Sequence, residues 1–150
     1  MTELNLPVYK FKFRREEKGL YIFDEVRKKY LKLTPEEWVR QNFIKYLISE
    51  KQFPPTLIAV EMGLKVHKLS RRSDIVVYSR NGNPILIVEC KAPEVPITQK
   101  VFDQIAQYNI KLQVNYLIVT NGLNHYACKV DLENKNYRFL KEIPCFNELD

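Results

Sequence analysis

The stretch from Arg71 to Ala92 constrains the fold of this chain more than any other. It reads R-R-S-D-I-V-V-Y-S-R-N-G-N-P-I-L-I-V-E-C-K-A. Two short runs rich in β-branched residues, Ile75 to Tyr78 and Ile85 to Val88, flank the turn sequence N-G-N-P. Such runs on either side of a tight turn predict a β-hairpin. The sequence therefore predicts two neighbouring antiparallel strands, to which the rest of the chain must be fitted.

Charged residues gather at one end of this predicted hairpin. Asp74 opens its first strand, and Glu89 and Lys91 close its second. Because side chains alternate along a strand, Glu89 and Lys91 share one face, Cys90 points to the other, and pairing brings Asp74 beside them. Mg²⁺ prefers oxygen ligands, so Asp74, Glu89 and the backbone carbonyl of Cys90 are candidate metal ligands, with Lys91 orienting a water for attack on phosphorus. The alternative is an ion pair at a solvated strand end.

Five stretches, in order, form a recognisable set. They are T-P-E-E-W-V-R-Q from Thr34, R-S-D-I-V-V-Y from Arg72, I-V-E-C-K-A-P from Ile87, D-Q-I-A-Q-Y from Asp103 and T-N-G from Thr120. Together they resemble the PD-(D/E)xK nuclease superfamily, and most closely the N-terminal nuclease domain of type I restriction enzyme R subunits. The resemblance covers roughly residues 30 to 122, and Ser73 stands where the motif's name has proline.

The resemblance implies further site residues. An acidic residue on the first helix approaches the metal in the restriction family, and Glu36 is the position that matches. The helix after E-C-K carries a Gln and a Tyr beside the active site, which here are Gln104 and Tyr108, so Gln104 is expected to assist catalysis and Tyr108 to support it. For Glu36 an alternative stays open: the helical wheel puts it on the buried side, where Arg40, one turn on, would neutralise it.

Cationic residues just upstream of Asp74 are candidates for contacts with the nucleic-acid backbone. Lys68, Arg71 and Arg72 lead directly into the predicted site, and Arg40 is a further candidate on the first helix. Lysine and arginine supply most contacts to phosphates in protein–DNA complexes. The alternative for the upstream segment is a solvated loop.

The predicted element order gives the fold class. Thr34 and Pro35 begin a helix, with Glu37 completing a capping box, and Thr98 caps a second helix that runs to about Leu112. Strands at residues 57–61, 75–78, 85–88 and 114–120 complete an αβββαβ core, a restriction-endonuclease-like mixed sheet flanked by helices. A β-hairpin at residues 8–23, aromatic on one face and basic on the other, precedes the core, and another hairpin follows it at residues 124–140.

At 150 residues the chain is expected to form a single domain: an extension at residues 1–33, a nuclease core at 34–122, and a C-terminal hairpin and tail at 123–150. There is no phosphate-loop sequence G-x-x-x-x-G-K-[ST], so ATP-driven movement would need a separate motor subunit. Three cysteines without a C-x-x-C pair, together with the lack of a signal peptide or long apolar run, favour the cytoplasm and no membrane.

The leading functional prediction is a metal-dependent DNA endonuclease that uses Mg²⁺, with Mn²⁺ as a substitute. The excess of 24 basic over 18 acidic residues suits a DNA partner but supports it only weakly. A specificity subunit is a further possible partner, and a homodimer is plausible because a double-strand cut needs two active sites. The alternative is a catalytically silent nucleic-acid-binding or assembly module that keeps the nuclease fold.

Overall fold

The computed structural model describes residues 1–62 and 73–149, and for residues 61, 62, 73 and 74 it describes the backbone alone. Nine strands form two sheets in this part of the chain. The strands are Phe13–Glu16 (β1), Gly19–Asp24 (β2), Lys29–Lys32 (β3), Ile58–Met62 (β4), Ser73–Tyr78 (β5), Pro84–Cys90 (β6), Tyr116–Thr120 (β7), His125–Asp131 (β8) and Asn136–Phe139 (β9). Two helices, Pro35–Lys51 (α1) and Gln99–Leu112 (α2), accompany them, together with 3-10 turns at Pro55–Leu57 and Phe146–Glu148.

The predicted αβββαβ core is confirmed by the order α1, β4, β5, β6, α2, β7. The central sheet has the strand order β4-β5-β6-β7-β8-β9. All neighbours in it are antiparallel except β6 and β7, which run parallel because α2 carries the chain back across the sheet. The predicted hairpin is β5–β6, and its register shifts by one residue between Val77 and Tyr78, next to the N-G-N-P turn.

The two helices begin where the sequence predicts. The Thr34 hydroxyl accepts a hydrogen bond from the Glu37 amide at 3.0 Å, and the Thr98 hydroxyl accepts one from the Val101 amide at 3.2 Å. Each bond satisfies an amide that the first turn of a helix leaves without a partner. Local sequence therefore fixes where each helix starts.

The helices cover opposite faces of the central sheet. Val39 and Phe43 of α1 pack in one apolar cluster with Val88 and Cys90 of β6. A second cluster joins residues of α2 to alternate residues of β7 and β8: Phe102, Ile105, Ala106, Leu117, Val119, Cys128 and Val130. Strand β7 is buried along its whole length, as its continuous apolar sequence predicts. The core is a three-layer α/β/α arrangement.

The N-terminal extension is a three-stranded antiparallel sheet, β1-β2-β3, and the predicted two-stranded hairpin was incomplete. Its first strand begins at Phe13, later than predicted. Strand β3, K-Y-L-K, was not predicted, since it lies in a charged stretch that sequence alone describes as a connector. Its partner is β2, with Tyr21 opposite Lys32 and Asp24 opposite Lys29. Pairing with β2 determines this strand. A segment of four residues has too little hydrophobic periodicity to predict a strand by itself.

The first residues of the chain cross α1 and reach the turn after β7. The Trp38 indole donates to the Thr2 carbonyl at 2.9 Å, and the Asn5 amide donates to the Gly122 carbonyl at 2.8 Å. Gly122 has a φ of +86°, and a Cβ there would lie 2.7 Å from a methyl group of Leu4. The predicted N-G turn thus needs its glycine both for the backbone angle and for the close approach of Leu4.

The predicted C-terminal hairpin is β8–β9, and it extends the central sheet, since β8 pairs with β7 and β9 forms the edge. Strand β7 starts two residues later than predicted, because the Val114 amide still closes the end of α2 on the Asn109 carbonyl at 3.0 Å. No helix in the described part of the chain has both the length and the apolar composition needed to cross a membrane.

Candidate functional site

Three acidic residues occupy the same end of three adjacent strands. Glu61 of β4 is the register partner of Asp74 of β5. The β5–β6 pairing places Ile75 opposite Val88, so the next position along puts Asp74 level with Glu89. This backbone register is the one the sequence predicts for Asp74 and Glu89. The side chains of Glu61 and Asp74 lie outside the described part of the structure.

Glu89 and Lys91 are buried at the end of β6. Their exposed fractions are 6% and 9%. Cys90, between them, is fully buried in the cluster on the α1 side. Glu89 is level with Val119 of β7, which belongs to the cluster on the α2 side. By strand alternation Glu89 and Lys91 therefore face the α2 side, opposite to Cys90, as predicted.

The extended backbone continues past the end of β6. The Lys91 amide donates to the Thr120 carbonyl at 2.8 Å, which holds Lys91 against the end of β7. Charged groups this far out of water are costly unless other charges, hydrogen bonds or a metal compensate them. A solvated ion pair, the alternative for this strand end, requires exposure that neither side chain has.

The donor set at this strand end fits a hard divalent cation in its chemistry. Carboxylates at positions 74 and 89 and the Cys90 carbonyl are oxygen donors, which Mg²⁺ and Mn²⁺ accept. No cluster of three or more His, Cys, Asp or Glu side chains occurs among the side chains that the structure describes, a set that leaves out Asp74 and Glu61.

Glu36 and Arg40 form an ion pair on α1. The Arg40 guanidinium donates to Glu36 at 2.7 Å and to Glu37 at 2.8 Å. Although burial opposes its charge, the neighbouring acidic groups hold the pKa of Arg40 above its usual value. The geometry matches the alternative in which Arg40 neutralises Glu36. At 2% exposure Arg40 also offers no open surface to a DNA phosphate.

Gln104 and Tyr108 lie on α2, the helix that covers the face to which Glu89 and Lys91 point. The side chain of Gln104 is exposed and that of Tyr108 is half-buried. Their one-turn spacing on α2 keeps both on a single stretch of helix surface, as predicted. The predicted phosphate-binding residues Lys68, Arg71 and Arg72 lie outside the described residues.

Comparison of the sequence with protein families gives one match. The sequence profile described as "Type I restriction enzyme R protein N terminus" matches residues 35–144, from the start of α1 to beyond β9. The chain belongs to this R protein N-terminal family. The family describes a restriction-system, nuclease-related domain. Searches of curated proteins and of solved structures gave no match.

The R protein N-terminal match begins after the β1-β2-β3 sheet, so this sheet lies outside the matched residues. A buried network joins the two parts. Arg27 pairs with Asp24 at the end of β2 and donates to Glu37 of α1 at 2.7 Å, and Gln41 donates to the same carboxylate at 2.8 Å. Asp24 is fully buried.

The sequence predicts a capping-box role for Glu37 and does not predict this network. The amide of Glu37 is capped by Thr34, but its carboxylate bridges Arg27 and Arg40. Desolvation alone would raise the pKa of Asp24, yet hydrogen bonds from Arg27 and Gln41 hold it below its ordinary value of 3.8. The available signal was weak: an aspartate that ends an apolar strand, three residues before an arginine.

Proposed function

We propose that this protein is a metal-dependent DNA endonuclease domain of a restriction system, of the PD-(D/E)xK type. One observation carries the proposal: Glu89 and Lys91 are buried side by side at the end of β6, level with the register position of Asp74. Membership of the R protein N-terminal family supports a role in restriction and a DNA substrate. Burying an acid and a lysine at one strand end costs folding free energy, and a role of both groups in catalysis explains why they are buried there.

In this proposal Asp74 and Glu89, with the Cys90 carbonyl, hold Mg²⁺ or Mn²⁺. The ion supplies charge neutralisation at the phosphate and lowers the pKa of water. The Lys91 ammonium donates hydrogen bonds that orient the attacking water toward phosphorus and stabilise the charge that develops on the phosphate oxygens. Hydrolysis breaks the P–O bond, and water supplies the oxygen on phosphorus and the proton on the leaving oxygen.

The residues around this centre have positioning roles. Gln104 donates a hydrogen bond to the phosphate or to the water from the exposed surface of α2, and Tyr108 supports it. Lys68, Arg71 and Arg72 contact backbone phosphates on the approach to Asp74. The partners that fit this proposal are a motor or specificity subunit and, for a cut in the second DNA strand, a second copy of the chain. A cytoplasmic location fits a DNA substrate and belongs to the same proposal.

Plasmid nicking tests the proposal. Supercoiled plasmid is incubated with the intact protein in Mg²⁺ or Mn²⁺ and separated on a gel. The intact protein is expected to convert it to the nicked or linear form, and EDTA, Asp74→Ala, Glu89→Gln or Lys91→Ala is expected to lower the rate by at least about 100-fold.

Matched variants separate loss of chemistry from loss of folding. Glu94→Gln and Lys100→Ala make the same changes at exposed positions a few residues further along the chain and should cleave normally. Melting curves of all variants check the fold. Cleavage that survives Lys91→Ala contradicts the mechanism. DNA binding that ignores both EDTA and Asp74→Ala, without cleavage, would identify the silent binding module instead.

A further inference from the structure

The N-terminal sheet carries most of the protein's net charge. Residues 8–33 contain nine Lys and Arg against four Asp and Glu, whereas the whole chain has a net charge of +6. This segment, built around β1, β2 and β3, precedes the residues matched by the R protein family. Its charge therefore calls for an explanation apart from the proposed nuclease centre.

One face of this sheet is open to solvent. The register places Arg14, Tyr21 and Lys32 in one row across the three strands, with Phe23 opposite Tyr30 in the next. Residues on the other face, such as Ile22 and Asp24, are fully buried. We call the open side the outer face. It consists of three exposed cations and three half-buried rings: Lys12, Arg14, Lys32, Tyr21, Phe23 and Tyr30.

Cations and rings interleave on the outer face. The Arg14 guanidinium lies 4.0 Å from the centre of the Tyr30 ring, and the Lys12 ammonium lies 5.9 Å from that of Phe23. The Phe23 and Tyr30 rings meet edge to face, with centroids 5.1 Å apart. Arg14 also approaches Glu16 at 3.5 Å, but both side chains are about half exposed, and such a pair is easily exchanged for another anion. The result is an aromatic platform with positive charge held on it.

We propose that the outer face binds single-stranded DNA. Unpaired bases stack on Tyr30, Phe23 and Tyr21, and Lys12, Arg14 and Lys32 contact the phosphates. A duplex satisfies the charges but keeps its base faces stacked inside, so it cannot use the rings. This binding goes beyond the proposed cleavage reaction and uses different residues.

Fluorescence anisotropy in EDTA measures this binding without cleavage. The probe is a labelled oligothymidylate of about 15 nucleotides, within the usual span of such surfaces. An unlabelled duplex and an RNA of equal length serve as competitors. The full chain is expected to prefer the single DNA strand over the duplex, and Tyr30→Ala is expected to weaken binding by about fivefold or more, while Tyr30→Phe keeps it.

The chain offers a matched charge control. Arg15 neighbours Arg14 but lies on the opposite face of β1 and is exposed. We expect Arg14→Glu to weaken binding by about tenfold and Arg15→Glu by only about two- to threefold, since a charge outside the contact acts through screened attraction alone. Both side chains are exposed, so these variants test the proposal even if Tyr30→Ala melts early.

Three results would overturn the proposal: equal losses for Arg14→Glu and Arg15→Glu, duplex competing as well as the single strand, or RNA competing better than DNA. A protein that binds the strand but does not nick plasmid would contradict the proposed nuclease and leave the outer face assigned. A protein that nicks plasmid, but whose binding to the strand is unchanged by Arg14→Glu, would support the proposed nuclease and contradict the role of the outer face.

Discussion

At the scale of single residues, Asp24 shows how a buried charge ties the N-terminal sheet to α1. It is fully buried, and its carboxylate accepts hydrogen bonds from the Val26 amide at 2.7 Å and the Arg27 amide at 3.0 Å and pairs with the Arg27 side chain. Arg27 in turn reaches Glu37. Removing one member of such a set leaves the others buried without compensation.

We predict that Asp24→Asn lowers the free energy of unfolding by about 2 kcal/mol near pH 7, since it weakens hydrogen bonds to a charged acceptor. Urea denaturation measures it. Glu25→Gln is the matched control, because Glu25 is 63% exposed and pairs with Lys45 at 3.3 Å at the surface. It should change stability by less than about 0.5 kcal/mol.

The buried Asp24 carboxylate also predicts that the stability of the protein depends on pH. Folding lowers the pKa of Asp24 below its ordinary value of 3.8, so the folded state binds its proton less readily than the unfolded state. The stabilisation is therefore fully present above pH 3.8 and is lost as the pH falls through the lower folded pKa. Asp24→Asn should lose less stability than the intact protein over that acidic range. Identical slopes for the two would refute the assignment.

At the scale of elements, the start of α1 was predictable because its cause is local. The signal lies within four consecutive residues: Thr34 is the N-cap, Pro35 takes the first helical position, and Glu37 takes the third. No distant contact is needed for this signal. The same holds for Thr98 and α2.

We predict that Thr34→Ala costs about 1 kcal/mol of stability, because the Glu37 amide loses its hydroxyl acceptor. Thr56→Ala, an exposed threonine in the 3-10 turn before β4, is the control and should be nearly neutral. Thermal melting compares them. Equal effects of the two substitutions would mean that the cap contributes little.

Strand β3 and the full set of ion pairs of α1 could not be predicted from the sequence of each element alone. K-Y-L-K has no turn signal and almost no periodicity, and it becomes a strand only because β2 offers it a free edge. The helical wheel put Glu36 on the buried side, but Glu37 is the more buried of the two, at 7%. A wheel assumes one covering surface, whereas α1 is covered both by the central sheet and by the N-terminal residues that cross it.

At the scale of the whole molecule, the candidate site exists only because three strands end together. Glu61, Asp74 and Glu89 come from positions far apart in sequence and share one end of the central sheet through the pairings of β4, β5 and β6. Metal binding there would act on the stability of the entire domain, since an ion that binds only the folded state shifts the unfolding equilibrium.

We predict that Mn²⁺ stabilises the protein by about 2.7 kcal/mol at about 100 times its dissociation constant. Differential scanning calorimetry with and without EDTA measures the rise in Tm. Glu89→Gln should abolish the rise, and Glu94→Gln, at an exposed position, should preserve it. A rise that persists in Glu89→Gln would place the ion elsewhere.

The sequence alone determined the order of the core elements from α1 to β7, the hairpin β5–β6, both helix starts and the alternation that sets Glu89 and Lys91 apart from Cys90. These features follow from hydrophobic period, turn residues and caps, which act over a few neighbouring residues. Only the tertiary structure decided that β3 is a strand, that Arg40 is occupied by Glu36 and Glu37, and that Asp24, Arg27 and Glu37 meet. Those outcomes depend on which buried groups face each other across elements, because a charge removed from water must find its partner wherever the fold brings one.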